Sequence, residues 1–396
     1  DFINTNNRRS VFFMILVLVI PLLISKCLYN VQTDLLMSNK EQINILVVQP
    51  NIDPYQEKFS VPQQEQTDNL IQFIKPYMSD QINYIILPET FLTAPIWENS
   101  IMNNLDIKKF KRLISDYAYL QKDSSYIYPV SVIVGATTLK FSKKEPTAKP
   151  ISAHNNKWYK VHNTVLHLQA TQTFSSASNN EVRNIHNISF KISKYYKSKL
   201  VPGAEKMPFN KFLFPILGDK ILNIGSSTSL GNFSTQDSIS LFTSKIYNFD
   251  TSINEKETKH SIAPIICYES IYGDYVRQFV KQGAGAIFII TNDGWWKKTS
   301  GYQQHNMYAK LRAIETRRYI ARSANTGISS IINPLGHIQQ SISWDKKDVI
   351  IASVGLGNYQ TFYVKYGDLI GRLSAFLAVI ILLYFFVMNK IRFSTQ

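Results

Sequence analysis

Three short segments each set a reactive side chain at the end of a strand-like apolar run. The first is Tyr84-Ile-Ile-Leu-Pro88-Glu89-Thr90, in which a carboxylate follows an apolar run and a proline. Burial at such a place raises a carboxyl pKa toward the range of a general base. By itself a glutamate there is more often a structural hydrogen-bond acceptor. The second is Ile262-Ala-Pro-Ile-Ile266-Cys267-Tyr268-Glu269-Ser270. A cysteine closing an apolar strand is usually packing, and it becomes a nucleophile when a neighbouring base or cation favours its thiolate. The third runs from Tyr195 through Lys197 and Lys199-Leu200-Val201-Pro202-Gly203-Ala204 to Glu205. A lysine there can hold positive charge beside a developing oxyanion, although in isolation the segment reads as a basic loop.

The elements that must position these side chains follow from apolar patterning. Short β-branched runs predict strands over 43–48, 84–87, 131–138, 262–267, 284–291, 327–333 and 349–354. Residues 63–78 place Leu70, Phe73, Ile74 and Tyr77 on one helical face, with Pro76 expected to end or kink the helix. A longer helix is predicted over 303–322, with Tyr308, Leu311, Arg312 and Glu315 on one side. Strands alternating with helices argue for an α/β layered domain. The polar stretches 138–195 and 225–259, including the run Ser175–Asn180, read as surface hairpins and loops.

The chain of 396 residues carries a formal net charge of +15, with 43 basic against 28 acidic side chains. That balance suits an anionic lipid surface and equally suits nucleic acid. The densest basic-aromatic segment is 191–199, but no nucleic-acid module motif accompanies it, so no nucleic-acid partner is expected. Uncharged apolar runs occupy 11–24 and 373–388. With their flanks they predict transmembrane helices over 11–29 and 369–388, the first being the weaker. A signal peptide is the alternative for the first run; Ser25-Lys26-Cys27 lacks the small-x-small pattern of a cleavage site. Arg8 and Arg9 before the first run, and Lys390 and Arg392 after the second, place residues 1–10 and 389–396 on the cytoplasmic side and a domain over 43–358 on the other. The chain opens with Asp1 rather than Met, so a further N-terminal region is expected upstream. Of the two cysteines, Cys27 lies in the first apolar run and Cys267 in the domain, and they are not expected to pair.

Glu, then Lys, then Cys-Tyr-Glu in this order resembles the nitrilase superfamily, also called carbon-nitrogen hydrolases. Val47-Val48-Gln49-Pro50-Asn51-Ile52 is similar to that family's first strand, and Leu87-Pro88-Glu89-Thr90 to its glutamate segment. Thr291-Asn292-Asp293-Gly294-Trp295-Trp296, Gln304-His305 and Arg312-Ala313-Ile314-Glu315 resemble the stretch after the cysteine in the apolipoprotein N-acyltransferase branch. The resemblance implies an α-β-β-α sandwich flanked by the two membrane helices. It implies Glu89 as general base, Lys197 as oxyanion stabiliser and Cys267 as nucleophile, supported by Glu205, Tyr268 and Glu269. It further implies transfer of a fatty acyl group from a phospholipid, through a cysteine thioester, to the amino terminus of a diacylglyceryl lipoprotein. The setting would be the bacterial inner membrane, with the catalytic domain on the periplasmic face. No metal or cofactor is implied, and the histidines show no H-E-x-x-H spacing. A membrane-anchored amidase or nitrilase is the alternative, since the motif leaves the acceptor open.

The chain departs from the family pattern in reading Gly203-Ala204 before the second glutamate, and in having Phe59 where a tryptophan is usual. The interval from Glu89 to Lys197 is also longer than common. Trp295, Trp296 and Tyr302 suit either an acyl-chain groove at the interface or core packing behind Cys267.

Overall fold

The computed structural model describes residues 5–37, 41–79, 81–118, 126–127, 130–145, 148–152, 155–174, 185–206, 233–248 and 256–394. Strand β1 (Gln42–Gln49) shows why the domain is layered: Ile43, Ile45 and Val47 join one buried cluster, and Leu46 and Val48 join another. Alternate residues of a strand point to opposite faces, so a strand apolar on both faces must lie between two layers.

Among the described residues one sheet runs β15 (Asp348–Gly355), β1, β2 (Tyr84–Ile86), β5 (Ser131–Ser142), β7 (Asn155–Phe174) and β6 (Lys149–Ser152), with β3 (Leu92–Trp97) beside β5 and β8 (Ile185–Tyr196) beside β7. The second runs β14 (Ile338–Ile342), β13 (Ser329–Ile332), β12 (Tyr319–Ala324), β11 (Ala286–Thr291), β10 (Lys256–Ile266), β9 (Phe242–Asn248) and β4 (Tyr126–Ile127). Helices α2 (Gln63–Ile74) and α3 (Leu105–Ala118) cover the first sheet through Leu70, Ile74, Phe110 and Ile114. Helices α4 (Gly273–Lys281) and α5 (Gly301–Thr316) cover the second through Val276, Phe279, Ala309 and Ala313. The architecture is therefore the expected α-β-β-α sandwich.

Strands β1, β2 and β5 run parallel, as do β10, β11 and β12. β7 is antiparallel to β5, and β8 antiparallel to β7, so β8 shares the direction of β5. The segments that follow β2 and β8 therefore leave the first sheet at one end, and Glu89 and Lys197 lie on them.

Three expectations need correction. Residues 138–195 are not mainly loops: β5 pairs with β7 over a ladder from Ser131↔Gln169 to Ser142↔Trp158, and β8 extends the sheet. Their polar side chains are satisfied inside it, as in Thr138 with Thr164 and His162 with the Ser234 carbonyl, and this masks the apolar alternation of a strand. The run Ser175–Asn180 lies outside the described residues. In the second polar stretch, β9 and most of β10's first half are strands, while 225–232 and 249–255 lie outside the described residues. The helix predicted to reach residue 322 ends at Thr316, because Arg317 takes the left-handed conformation (φ 53°) and the chain enters β12. Of the four residues expected on one side, Tyr308 and Leu311 are exposed and Arg312 is buried, and the inward face is made by His305, Ala309, Arg312 and Ala313. By contrast α2 stops at Ile74, with Pro76 in the 3-10 turn Lys75–Tyr77, as Pro76 required.

The apolar runs form helices α1 (Thr5–Met37) and α7 (Leu369–Ser394), with a short α6 (Phe362–Tyr366) before the latter. Spans Ser10–Cys27 and Leu369–Lys390 are long and apolar enough to cross a membrane and are not buried against the domain. Residues 1–4 and 395–396 of the expected flanks lie outside the described residues.

Candidate active site

Glu89 sits where the chain leaves β2 and turns sharply. Thr90 carries φ 48°, a strained value for a β-branched residue. The turn presses against β5 so closely that a Cβ on Gly135 would lie 2.4 Å from the Thr90 nitrogen and 2.6 Å from the Glu89 Cα. Only glycine permits that approach. Across the sheet, Asn163 on β7 and Lys197 just beyond β8 point at the same carboxylate.

The Lys197 ammonium donates to Glu89 Oε1 at 3.0 Å and to Glu205 Oε1 at 2.9 Å, and is 1% exposed. The Asn163 amide donates to Glu89 Oε1 at 2.8 Å and to Glu205 Oε1 at 3.1 Å. Glu205 is brought back by a tight turn at Gly203 (φ 82°), and its Oε2 accepts from the Val201 amide at 2.8 Å. The Gly203-Ala204 departure therefore still delivers the second glutamate to the lysine. Burial alone pushes the Glu89 carboxyl up, but the Lys197 ammonium, the Asn163 amide and the charge of Lys58 hold it below the usual carboxylate range. Burial works against the Lys197 charge, and the two carboxylates hold its pKa well above the ordinary lysine value.

Cys267 closes β10 in the left-handed conformation, φ 49°, and opens the 3-10 turn Cys267–Ile271. Burial pushes its thiol up; Glu89 and Asp293 add to this, and Lys197 and the Thr291 hydroxyl oppose it. The thiol thus lies within the field of a carboxylate and an ammonium, in surroundings that favour its protonated form.

Glu269 does not join the other acidic groups. Its Oε1 accepts from the Ser198 amide at 2.6 Å and the Tyr195 hydroxyl at 2.7 Å, and its Oε2 from the Ile266 amide at 2.8 Å. One buried carboxylate thereby fastens the lysine segment to the nucleophile strand. Burial raises its pKa to about 7 against these donors. The Tyr268 ring packs edge-on against Tyr272 at 5.4 Å, away from the carboxylates.

Behind the nucleophile lies a network that the motifs did not assign. His305 Nε2 is 3.1 Å from the Cys267 carbonyl, and its Nδ1 is 2.9 Å from Asp293 Oδ1. Arg322, fully buried, donates to Asp293 Oδ2 at 2.8 Å. Burial pushes Asp293 up, and Arg322 and His305 more than reverse it. Asn163 and Lys58 were also missed. Asn163 sits in the polar run His162-Asn163-Thr164 of β7 and gave no distinguishing signal, and Lys58 had none beyond being a lysine in a loop. Trp295 and Trp296 do not pack the core: they are 42% and 37% exposed, whereas Tyr302 is buried against Trp344. The basic segment 191–199 is not an open cationic track, because Lys197 is buried and Lys194 pairs with Glu98 at 2.6 Å.

A carboxylate, an ammonium and a thiol at one end of a two-sheet sandwich are the parts of a covalent acyl-transfer site. The pattern of the Carbon-nitrogen hydrolase family matches residues 45–363. The chain belongs to that family.

Within it the chain is 26% identical to an apolipoprotein N-acyltransferase of Chlorobaculum tepidum over 91% of its own length and 60% of that protein's. It is 32% identical to one of Wigglesworthia glossinidia brevipalpis over 51% of its length and 36% of that protein's. The chain thus spans less than two thirds of the length of these relatives. Among solved structures it is similar to Nit3 of Saccharomyces cerevisiae, a member of branch 10 of the nitrilase superfamily, with a TM-score of 0.43 and 15% identity over 80% of this chain and 91% of that one.

Proposed function

We propose that this chain is the catalytic part of an apolipoprotein N-acyltransferase that carries a fatty acyl group on Cys267. The observation that carries the reading is the buried cluster of Glu89, Lys197 and Glu205 within electrostatic reach of a cysteine, in a domain framed by two membrane-length apolar helices. Resemblance to curated N-acyltransferases favours this acceptor over ammonia or water.

In this reading Glu89 takes the thiol proton as the sulfur attacks the ester carbonyl of a phospholipid. The oxyanion is held by the Lys197 ammonium and the Tyr268 N–H. That amide lies in the first turn of the 3-10 helix, where amides have no partner within the helix. Collapse breaks the ester C–O bond, and Glu89 returns its proton to the departing lysophospholipid. The α-amine of a diacylglyceryl-cysteine lipoprotein then attacks the thioester, loses its proton to Glu89 and expels the sulfur, which is reprotonated. Glu205 and Asn163 keep Lys197 and Glu89 in register. Residues 11–29 and 369–388 cross the inner membrane, and the domain 43–358 stands on its periplasmic face, with the flanks 1–10 and 389–396 cytoplasmic.

The test is to supply full-length protein with acyl-labelled phospholipid and either a diacylglyceryl lipopeptide or buffer alone. The reading predicts label on the lipopeptide amine and slow release to water. Equal discharge to water would favour the membrane-anchored hydrolase.

A further inference from the structure

Lys58 is a buried ammonium that the reaction above leaves unused. It lies between β1 and α2 and is 3% exposed. Its ammonium donates to the Thr90 hydroxyl at 2.7 Å and reaches the Glu89 carbonyl at 3.5 Å. The loop is built to deliver it. Asp53 Oδ1 accepts from the amides of Tyr55 and Gln56 at 2.7 and 3.1 Å, the Asp53 carbonyl accepts from the Lys58 amide at 2.9 Å, and Gln66 of α2 donates to the Lys58 carbonyl at 3.1 Å. Burying a lysine with only neutral oxygens as hydrogen-bond partners is unfavourable unless an anionic group lies nearby. That group is Glu89, whose charge opposes the pull of burial, which lowers Lys58 to about 8.

Charge balance explains the arrangement. Glu89 and Glu205 set two carboxylates against one ammonium, Lys197, in a region where all three side chains are largely buried. Left so, the region carries a net negative charge, which favours protonation of Glu89. Lys58, bonded at the Glu89-Thr90 turn, brings these four groups to neutrality. We propose that Lys58 is the positioning residue of the general base, keeping Glu89 ionised and bracing the strained Glu89-Thr90 peptide so that its carboxylate stays aimed at Cys267. This rests on the role of Glu89 in the proposed acyl transfer. Among the described residues, the charged and titratable groups around Glu89 are Lys197, Lys58, Glu205 and Cys267. In Lys58's own loop, Asp53 and Glu57 turn their carboxylates onto loop amides.

The experiment follows alkylation of Cys267 by iodoacetamide against pH in the solubilised full-length protein, with the exposed Cys27 replaced by serine. It needs no lipid, so it can fail independently of the acyl-transfer reading. Lys58→Met and Lys58→Gln, the second keeping a donor for Thr90 but no charge, are expected to move the acid limb of the rate up by about one pH unit or more. Lys58→Arg is expected to restore the limb to within a few tenths of a unit. Wild-type profiles for both neutral variants, alongside a Glu89→Gln variant that loses the limb, would overturn the role of Lys58. A Glu89→Gln profile identical to wild type would instead overturn Glu89 as the base, and with it the reading on which this role rests.

Discussion

Replacing Glu269 by glutamine tests whether that carboxylate holds the site together. In the wild type its two oxygens accept from Ile266, Ser198, Lys199 and the Tyr195 hydroxyl, all in the interior. Glutamine has the same shape but offers one acceptor oxygen, so its NH2 must face a donor. The less costly rotamer turns the NH2 toward the Ile266 amide and leaves one buried N–H without a partner, at about 1–3 kcal/mol. The other rotamer strands the Ser198 and Lys199 amides and costs more. The expected destabilisation is therefore about 2–3 kcal/mol, read as a lower denaturation midpoint in tryptophan fluorescence with the m-value unchanged. Because Ser198 follows Lys197 directly, slackening this bond displaces the ammonium from the carbonyl that it polarises in the proposed reaction. A shift on the order of 1 Å costs about 100-fold in rate, measured as acyl transfer by the still-folded variant. Wild-type stability and rate in Glu269→Gln would refute the bracket.

Two further predictions rest on packing and on buried histidines. Gly135→Ala would put a methyl 2.4 Å from the Thr90 nitrogen; it is expected to destabilise by about 1–3 kcal/mol and to lower acyl transfer at least as strongly as Glu269→Gln, checked by the same two assays. Between the sheets, His167 stacks on Tyr84 and His260 bonds the Tyr84 hydroxyl at 2.7 Å. Burial pulls their pKa values to about 3 and about 4. The unfolded rings bind protons below about 6.5 while the folded ones stay neutral, so stability falls as pH drops from 6.5 toward 4, by about 3 kcal/mol per ring over that window. Glu269, raised to about 7, opposes this trend between 7 and its unfolded value, so the measurement is a comparison: His167→Phe should lose less stability than wild type between pH 6.5 and 4.5. Parallel stability curves would contradict it.

Much of this was legible in the sequence because the informative residues are bounded by apolar strands. Tyr84–Leu87 and Ile262–Ile266 announce themselves by β-branched runs, and their termini carry Glu89 and Cys267. Sandwich layering likewise shows in β1, which is apolar on both faces. What was hidden is polar and inside. β7 carries Asn163, Thr164 and His167 inward and β8 leads directly into the buried Lys197, and a strand with such side chains does not alternate in hydrophobicity. The end of α5 depends on Arg317 taking a left-handed turn, which its side chain does not signal. Glu269 was expected only as a supporting residue after the cysteine, yet the amides of Ser198 and Lys199, about 70 positions earlier, claim it together with the local Ile266 amide. Tertiary hydrogen bonds of that kind leave no local pattern to read.

The proposed transfer requires that the acyl group be carried by the sulfur of Cys267 with Glu89 as its base. Full-length protein incubated with phospholipid and no amine acceptor, then digested and weighed by mass spectrometry, answers this directly. A fatty-acyl adduct on the Cys267 peptide, removable by hydroxylamine and missing from Glu89→Gln, is the predicted result. Acyl transfer that proceeds with the Cys267 peptide unmodified, or with the adduct on another residue, would contradict it.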